Sequence, residues 1–126
     1  MVDRNALGRP GSCPFCERVG RTGELPRNDL AASVLDAFPR APGHVLIVPL
    51  VHESDYFELP AETQEAMFSL LPEVRNWQQR CYRPTGWTIR INVGLSAGQS
   101  VAHVHMHVLP SYGHSPHDAF KYEEPL

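Results

Sequence analysis

Apolar positions gather in four short runs and one long periodic stretch. Leu30–Phe38, LAASVLDAF, predicts a strand leading into the turn residues Pro39–Pro42. Gly43–Leu50, GHVLIVPL, is rich in Val, Ile and Leu over a short span and predicts a buried strand that Pro49 ends. Trp87–Val93, WTIRINV, alternates as a half-buried strand does. Val101–Leu109 predicts the last strand, stopped by Pro110.

The long stretch, Pro60–Tyr82, predicts the one substantial helix. Leu59, Met67, Leu70, Leu71, Val74 and Trp77 recur near the 3.6-residue period. Pro60 sits near the start, where a missing N–H costs nothing. Pro72 interrupts the stripe, but the apolar positions continue in phase on both sides, which predicts a kink rather than two helices. Arg83–Gly86 breaks the chain. Several strands and one helix in 126 residues imply an α+β fold with an antiparallel sheet of about five strands. Residues 1–12 read as a loosely ordered N-terminus, 13–112 as the domain and 113–126 as a polar surface tail carrying His114 and His117.

Composition narrows the function classes. Apolar residues make up 42% and charged residues 20%, an ordinary globular balance. A net charge of −3 gives no basis for a duplex nucleic-acid binder or a polybasic membrane anchor. No apolar run approaches the roughly 20 residues that span a bilayer, and the first residues carry no signal-peptide pattern. A reducing cytoplasm is the expected location, with the three cysteines outside any disulfide framework. Cys81, near the helix end, reads as a packing residue.

Against that background the run HVHMH at 103–107 stands out. Alternation on a strand puts His103, His105 and His107 on one face, and Val104, Met106 and Val108 on the core side. Successive histidine Cα atoms then lie roughly 6.5–7 Å apart. Such a row suits nucleophilic and acid–base work on a phosphate, because neutral imidazole is nucleophilic and titrates near neutrality. Metal binding by the row is the competing use, although three histidines in line do not converge easily on one ion. Gly98-Gln99-Ser100, just upstream, offers unshielded backbone N–H groups, an amide and a hydroxyl, all natural phosphate donors.

The segment Asn92–Pro110, NVGLSAGQSVAHVHMHVLP, resembles the signature of the histidine triad (HIT) family of nucleotide hydrolases and transferases. The block APGHVLIVPLVH at 41–52 resembles that family's other motif and supplies His44. The resemblance implies a HIT-like fold that dimerises by joining two sheets into one. It implies a purine nucleotide substrate, either a phosphoramidate, an acyl-adenylate or a dinucleoside polyphosphate, cleaved at the α-phosphate. His105 becomes the nucleophile that is covalently nucleotidylated, flanked by His103 and His107 and supported by His44. Gln99 and Ser100, with Gly98, are assigned to the phosphate and leaving group. Asn92 is assigned to the phosphate and ribose, and Asp36 to the ribose and base. Two other classes stay open: a slow nucleotide-binding or signalling protein, and a metallohydrolase using the histidine row.

Cys13-Pro-Phe-Cys16 has the spacing of half a zinc site. The same resemblance implies a structural zinc closed by His52 and His103. A redox Cys-x-x-Cys would require a preceding strand and a following helix, a context the sequence does not predict.

Overall fold

The computed structural model describes residues 13–20 and 22–113. The expectations for residues 1–12, for the tail beyond 113 and for His114 and His117 lie outside the described residues. Among the described residues no helix is long and apolar enough to cross a membrane.

The described residues open with a short helix α1, Pro14–Arg18, followed by β1, Ala31–Leu35, and β2, Val45–Pro49. A 3-10 turn at Tyr56–Glu58 leads into α2, Ala61–Ser69, and α3, Leu71–Tyr82. Then come β3, Gly86–Ile91, and β4, Met106–Ser111. The four strands form one sheet in the order β1-β2-β4-β3, every pair antiparallel. The fold is α+β, as expected, with four strands rather than about five. Among the described residues a single bridge between Arg27 and Ala32 extends the sheet beyond β1. Pro26, beside that bridge, has no N–H to continue a ladder.

The helical segment reaches Tyr82 as expected but is divided at one residue. Leu70 keeps right-handed helical angles while closing α2 and opening α3. Pro72 is the cause: it cannot donate to the carbonyl of Phe68, and its ring crowds that carbonyl. The Leu70 N–H turns to Met67 O at 3.2 Å, and the next helical bond, Val74 N–H to Leu70 O at 2.9 Å, starts α3. Pro60 caps the first helix instead of sitting inside it.

The sheet has two distinct faces. On one, Leu59, Met67, Leu70, Val74 and Trp77 pack with Val45, Ile47, Val104, Met106 and Val108. The predicted stripe is therefore the core face, with Leu71 at its margin. On the other face, Val34, Leu46 and Val48 pack with Cys13 and Phe15. β2 is buried at every position because it faces both clusters, which explains its unbroken apolar run. Cys81 is exposed, contrary to the packing role expected of it.

One buried polar residue ties α3 to the sheet on the helix side. Gln78 in α3 is fully buried. Its amide donates to Gly43 O and Val108 O, both at 2.9 Å, and accepts from Trp87 Nε1 at 2.8 Å. Two strands, β3 and β4, and the turn before β2 are thereby fixed to one helix. Gly43 must be glycine at this point: its φ is +83°, and an added Cβ would lie 2.8 Å from the Tyr82 ring.

Candidate active site and metal centre

The histidine row lies only partly on a strand. His107 is inside β4, whereas His103 and His105 precede it. The predicted strand began at Val101, but the backbone there is claimed elsewhere: Val104 N–H donates to Glu53 O at 2.7 Å. At the other end β4 continues through Pro110, opposite Trp87. Pairing with β2 stops at Val108, so beyond it β4 has a ladder on one side only and tolerates a proline. The face alternation nevertheless holds. Val104, Met106 and Val108 enter the helix-side core, and the histidines emerge on the side of Phe15.

Each histidine's tautomer follows from its partners. Arg40 N–H donates to His44 Nδ1 at 3.2 Å, so the proton of neutral His44 resides on Nε2. That Nε2 lies 3.0 Å from His107 Nδ1 and 3.5 Å from an Asp36 oxygen. His107 Nδ1 is consequently an acceptor, and its proton is on Nε2. His105 donates Nδ1–H to the His103 carbonyl at 2.9 Å, leaving an Nε2 lone pair free for attack. Burial lowers the pKa of His44, against the pull of Asp36, and lowers that of His105 too. His107 is pushed down to about 4, chiefly by burial and then by the neighbouring charges of His105, Arg90 and His44. The row is neutral at pH 7, the state in which imidazole is a nucleophile.

The loop before the row is held by its own polar groups. Gln99 is buried, and its amide accepts from Gly94 N–H at 2.8 Å while donating to Ser54 O and Val101 O at 2.8 and 3.0 Å. Asn92 donates to Ala97 O at 2.7 Å. The amides assigned from the resemblance to the phosphate are therefore engaged in shaping the loop. Ser100 is exposed, and Gly98 turns the backbone with φ +90°.

Cys13, Cys16, His52 and His103 form a second group, with all four ligand atoms within 4.8 Å of one another. Cys13 Sγ lies 3.3 Å from His103 Nδ1, and Cys16 Sγ lies 3.1 Å from His52 Nδ1 and 3.5 Å from His103 Nδ1. A tetrahedral zinc with ordinary Zn–S and Zn–N bonds spans S···N edges of about 3.5 Å, so the set fits. His103 Nε2 lies 2.9 Å from Pro49 O and donates to it, which turns Nδ1 toward the sulfurs as a metal ligand requires. Burial, then Cys13, raises the Cys16 thiol to about 11 in the absence of metal.

Asp36, His44 and His107 also lie within ligand distance of one another. This trio does not fit a metal in the tautomers described, because His44 Nε2 bears a proton rather than a lone pair.

Two residues near the row escaped the sequence reading. Phe15, between the cysteines, packs its ring 5.8 Å from that of His103 and 5.1 Å from that of His105. Arg90 on β3 is in register with His107. The alternation of WTIRINV puts Arg90 on the same face as Asn92, the one sequence signal that could have found it.

A sheet that aligns neutral imidazoles beside a tight glycine loop, backed by two helices, defines a histidine triad protein. The chain belongs to the HIT family, whose HIT domain matches residues 24–114. A 16.1 kDa HIT-like protein of Mycoplasma pneumoniae is 35% identical, over 89% of this chain and 79% of that one. An AP-4-A phosphorylase of Mycobacterium tuberculosis is 30% identical over 88% of this chain and 59% of its own length. For an adenylylsulfatase of Arabidopsis thaliana the identity is 31%, over 78% and 51%. Among solved structures, a HIT family protein from Bacillus anthracis superposes with a TM-score of 0.73 at 28% identity, covering 91% of this chain and 90% of that one. A zinc-bound histidine triad protein from Mycobacterium smegmatis gives 0.73 at 27% identity, over 90% and 83%.

Proposed function

We propose that this protein is a hydrolase or transferase of adenine nucleotides that works through a nucleotidyl group on His105. The observation that carries the reading is the bond from His105 Nδ1–H to the His103 carbonyl, which fixes the tautomer and leaves Nε2 free. The named activities of the Mycobacterium and Arabidopsis relatives support the substrate class.

In the first step, His105 Nε2 attacks the α-phosphorus. The bond to the leaving group breaks with its electron pair; His107 Nε2–H hydrogen-bonds to the departing atom, and any proton that atom needs comes from solvent water. In the second step, water attacks phosphorus, the P–Nε2 bond breaks with its electron pair returning to neutral His105, the water's proton passes to solvent, and the nucleoside monophosphate leaves. Dividing one displacement into two lowers each barrier. Asp36 and His44 hold His107 in the donor tautomer, and Asp36 is also placed to accept from ribose hydroxyls. Ser100 and the Gly98 backbone face the phosphate, while Gln99 and Asn92 hold the loop in shape. A structural zinc on Cys13, Cys16, His52 and His103 would pin α1 to the row and contribute folding energy. The active form is a homodimer joined through β3, which has one paired neighbour and exposes Ile89.

Rapid quenching in alkaline detergent, which preserves the P–N bond, of enzyme with a diadenosine polyphosphate should trap one nucleotidyl group per chain, mapped by mass spectrometry to His105. Turnover with no adduct at any time point would rule out the covalent route. Light scattering of the purified protein, expected at the dimer mass, checks the assembly.

A further inference from the structure

Read across the strand ends, the site has a polar axis. Asp36 follows β1, His44 precedes β2, His107 lies on β4 and Arg90 on β3, and the sheet order is β1-β2-β4-β3. An acid, two neutral imidazoles and a cation therefore succeed one another from one edge to the other. His107 pairs directly with Leu46 on one side and with Arg90 on the other, so the three side chains share a face. His44 and Asp36 occupy the β1 flank of His107, and Arg90 occupies the β3 flank.

Among the described residues Arg90 has no ion-pair partner. Its Nε is buried with no hydrogen-bond partner, and among the described residues no carboxylate pairs with its guanidinium. A desolvated, unpaired guanidinium N–H is costly, and native structures rarely keep one without a use. The planar fork of an arginine matches phosphate oxygens two at a time.

We propose that Arg90 binds the phosphate chain of the leaving group and selects substrates whose leaving group is anionic. The assignment rests on the nucleotide reading above. With the nucleoside at the Asp36 end, the α-phosphate stands over His105 and His107, and the leaving group extends toward Arg90. The α-phosphate oxygens are common to all candidate substrates. What distinguishes a polyphosphate from the phosphoramidate of a simple amine is charge beyond the α-phosphorus, where Arg90 stands. Nucleoside polyphosphates and phosphosulfates gain from the cation, and neutral amine leaving groups do not.

Two measurements on wild type, Arg90→Gln and Arg90→Lys test this. The first compares kcat/KM for a diadenosine polyphosphate and for adenosine 5′-phosphoramidate. Arg90→Gln should lower the polyphosphate value by roughly 10- to 100-fold, the loss of a charge-assisted contact, and change the phosphoramidate value by less than about threefold. Arg90→Lys should restore part of the loss, since it keeps the charge without the fork. Equal slowing of both substrates, or none, would overturn the assignment, and a merely structural role would move the melting temperature in step. The second measures binding of inorganic tripolyphosphate by calorimetry, without turnover. Binding that weakens about tenfold or more in Arg90→Gln supports Arg90 even where wild type cleaves neither nucleotide, an outcome that would sink the parent reading alone. Unchanged tripolyphosphate affinity sinks the Arg90 assignment and leaves the parent reading standing.

Discussion

His103 and His107 are four residues apart on one extended segment and have been given opposite surroundings. His103 is fully buried, faces two sulfurs and an imidazole, and spends its other nitrogen on Pro49 O. His107 is half-buried, faces His44, Asp36 and Arg90, and keeps Nε2 free of the network. Burial brings both to about 4, so acidity does not separate them. Connectivity does. The first belongs to a closed set in which every ligand atom points inward, the arrangement of a structural metal. The second belongs to an open set with a donor left over, the arrangement of a reaction centre. His105, between them, leans on the first group through the His103 carbonyl and works with the second.

The sharpest way to break this contrast is to remove one imidazole from each side. His105→Asn should lower kcat by about a thousandfold or more, roughly 4 kcal/mol of barrier, with nucleotide affinity within a few-fold of wild type. His103→Asn should act through stability, with a lower melting temperature and a reduced metal content. A stable His103→Asn protein that still binds zinc would erase the distinction.

A smaller effect is expected from Cys13→Ala, which removes one ligand and leaves the open set untouched. Bound zinc should fall, and the melting temperature with it, because ligation energy is folding energy. Mass spectrometry of the native protein and a thermal melt with and without a chelator check this. A chelator-insensitive melt would refute the structural role.

The open set predicts a pH dependence. Folding lowers the pKa of His107 and of His44 relative to the unfolded chain. Below about pH 6.5 the unfolded chain takes up protons that the folded protein refuses, so stability falls as pH drops. The loss deepens until the folded pKa is reached, about 4 for His107. The melting temperature should therefore decline between pH 6.5 and 4, less steeply in His107→Asn. Equal slopes would place the titration elsewhere.

The smallest effect concerns the loop. Ser100→Ala should reduce kcat about tenfold, the share of one neutral hydrogen bond, with little change in melting temperature. Gln99→Leu, which strips a buried amide of its loop contacts, should instead lower the melting temperature. A reversal of the two would exchange their roles.

The triad, the second histidine block and the Cys-x-x-Cys were legible because each is local in sequence and carries its own period or spacing. The alternation at 103–108 correctly put Val104, Met106 and Val108 in the core, and the stripe from Leu59 to Trp77 named the helix face that packs. What was not legible depends on contacts across the chain. The strand began at Met106 because Glu53, 51 residues before Val104, takes the N–H that a ladder would need. Gln78, inside an ordinary helix, became a fastener for two strands and the turn before β2, and no local pattern announces that. Arg90 acquired its position only through the register of β3 on β4.

The working parts are scattered along the chain. The contact from Cys13 to His103 closes a separation of 90 residues, and that from His44 to His107 closes 63. Loops of that span close late in folding, because the entropy of closure precedes the contacts that offset it. The same spacing governs synthesis. A nascent chain that has released α1, both N-terminal strands and the helices still lacks the row, so it holds neither a complete cysteine–histidine set nor a nucleophile. The parts that the covalent route proposed above would use come together only when the final strand docks between β2 and β3, and a chain truncated before His103 holds neither His105 nor the complete ligand set.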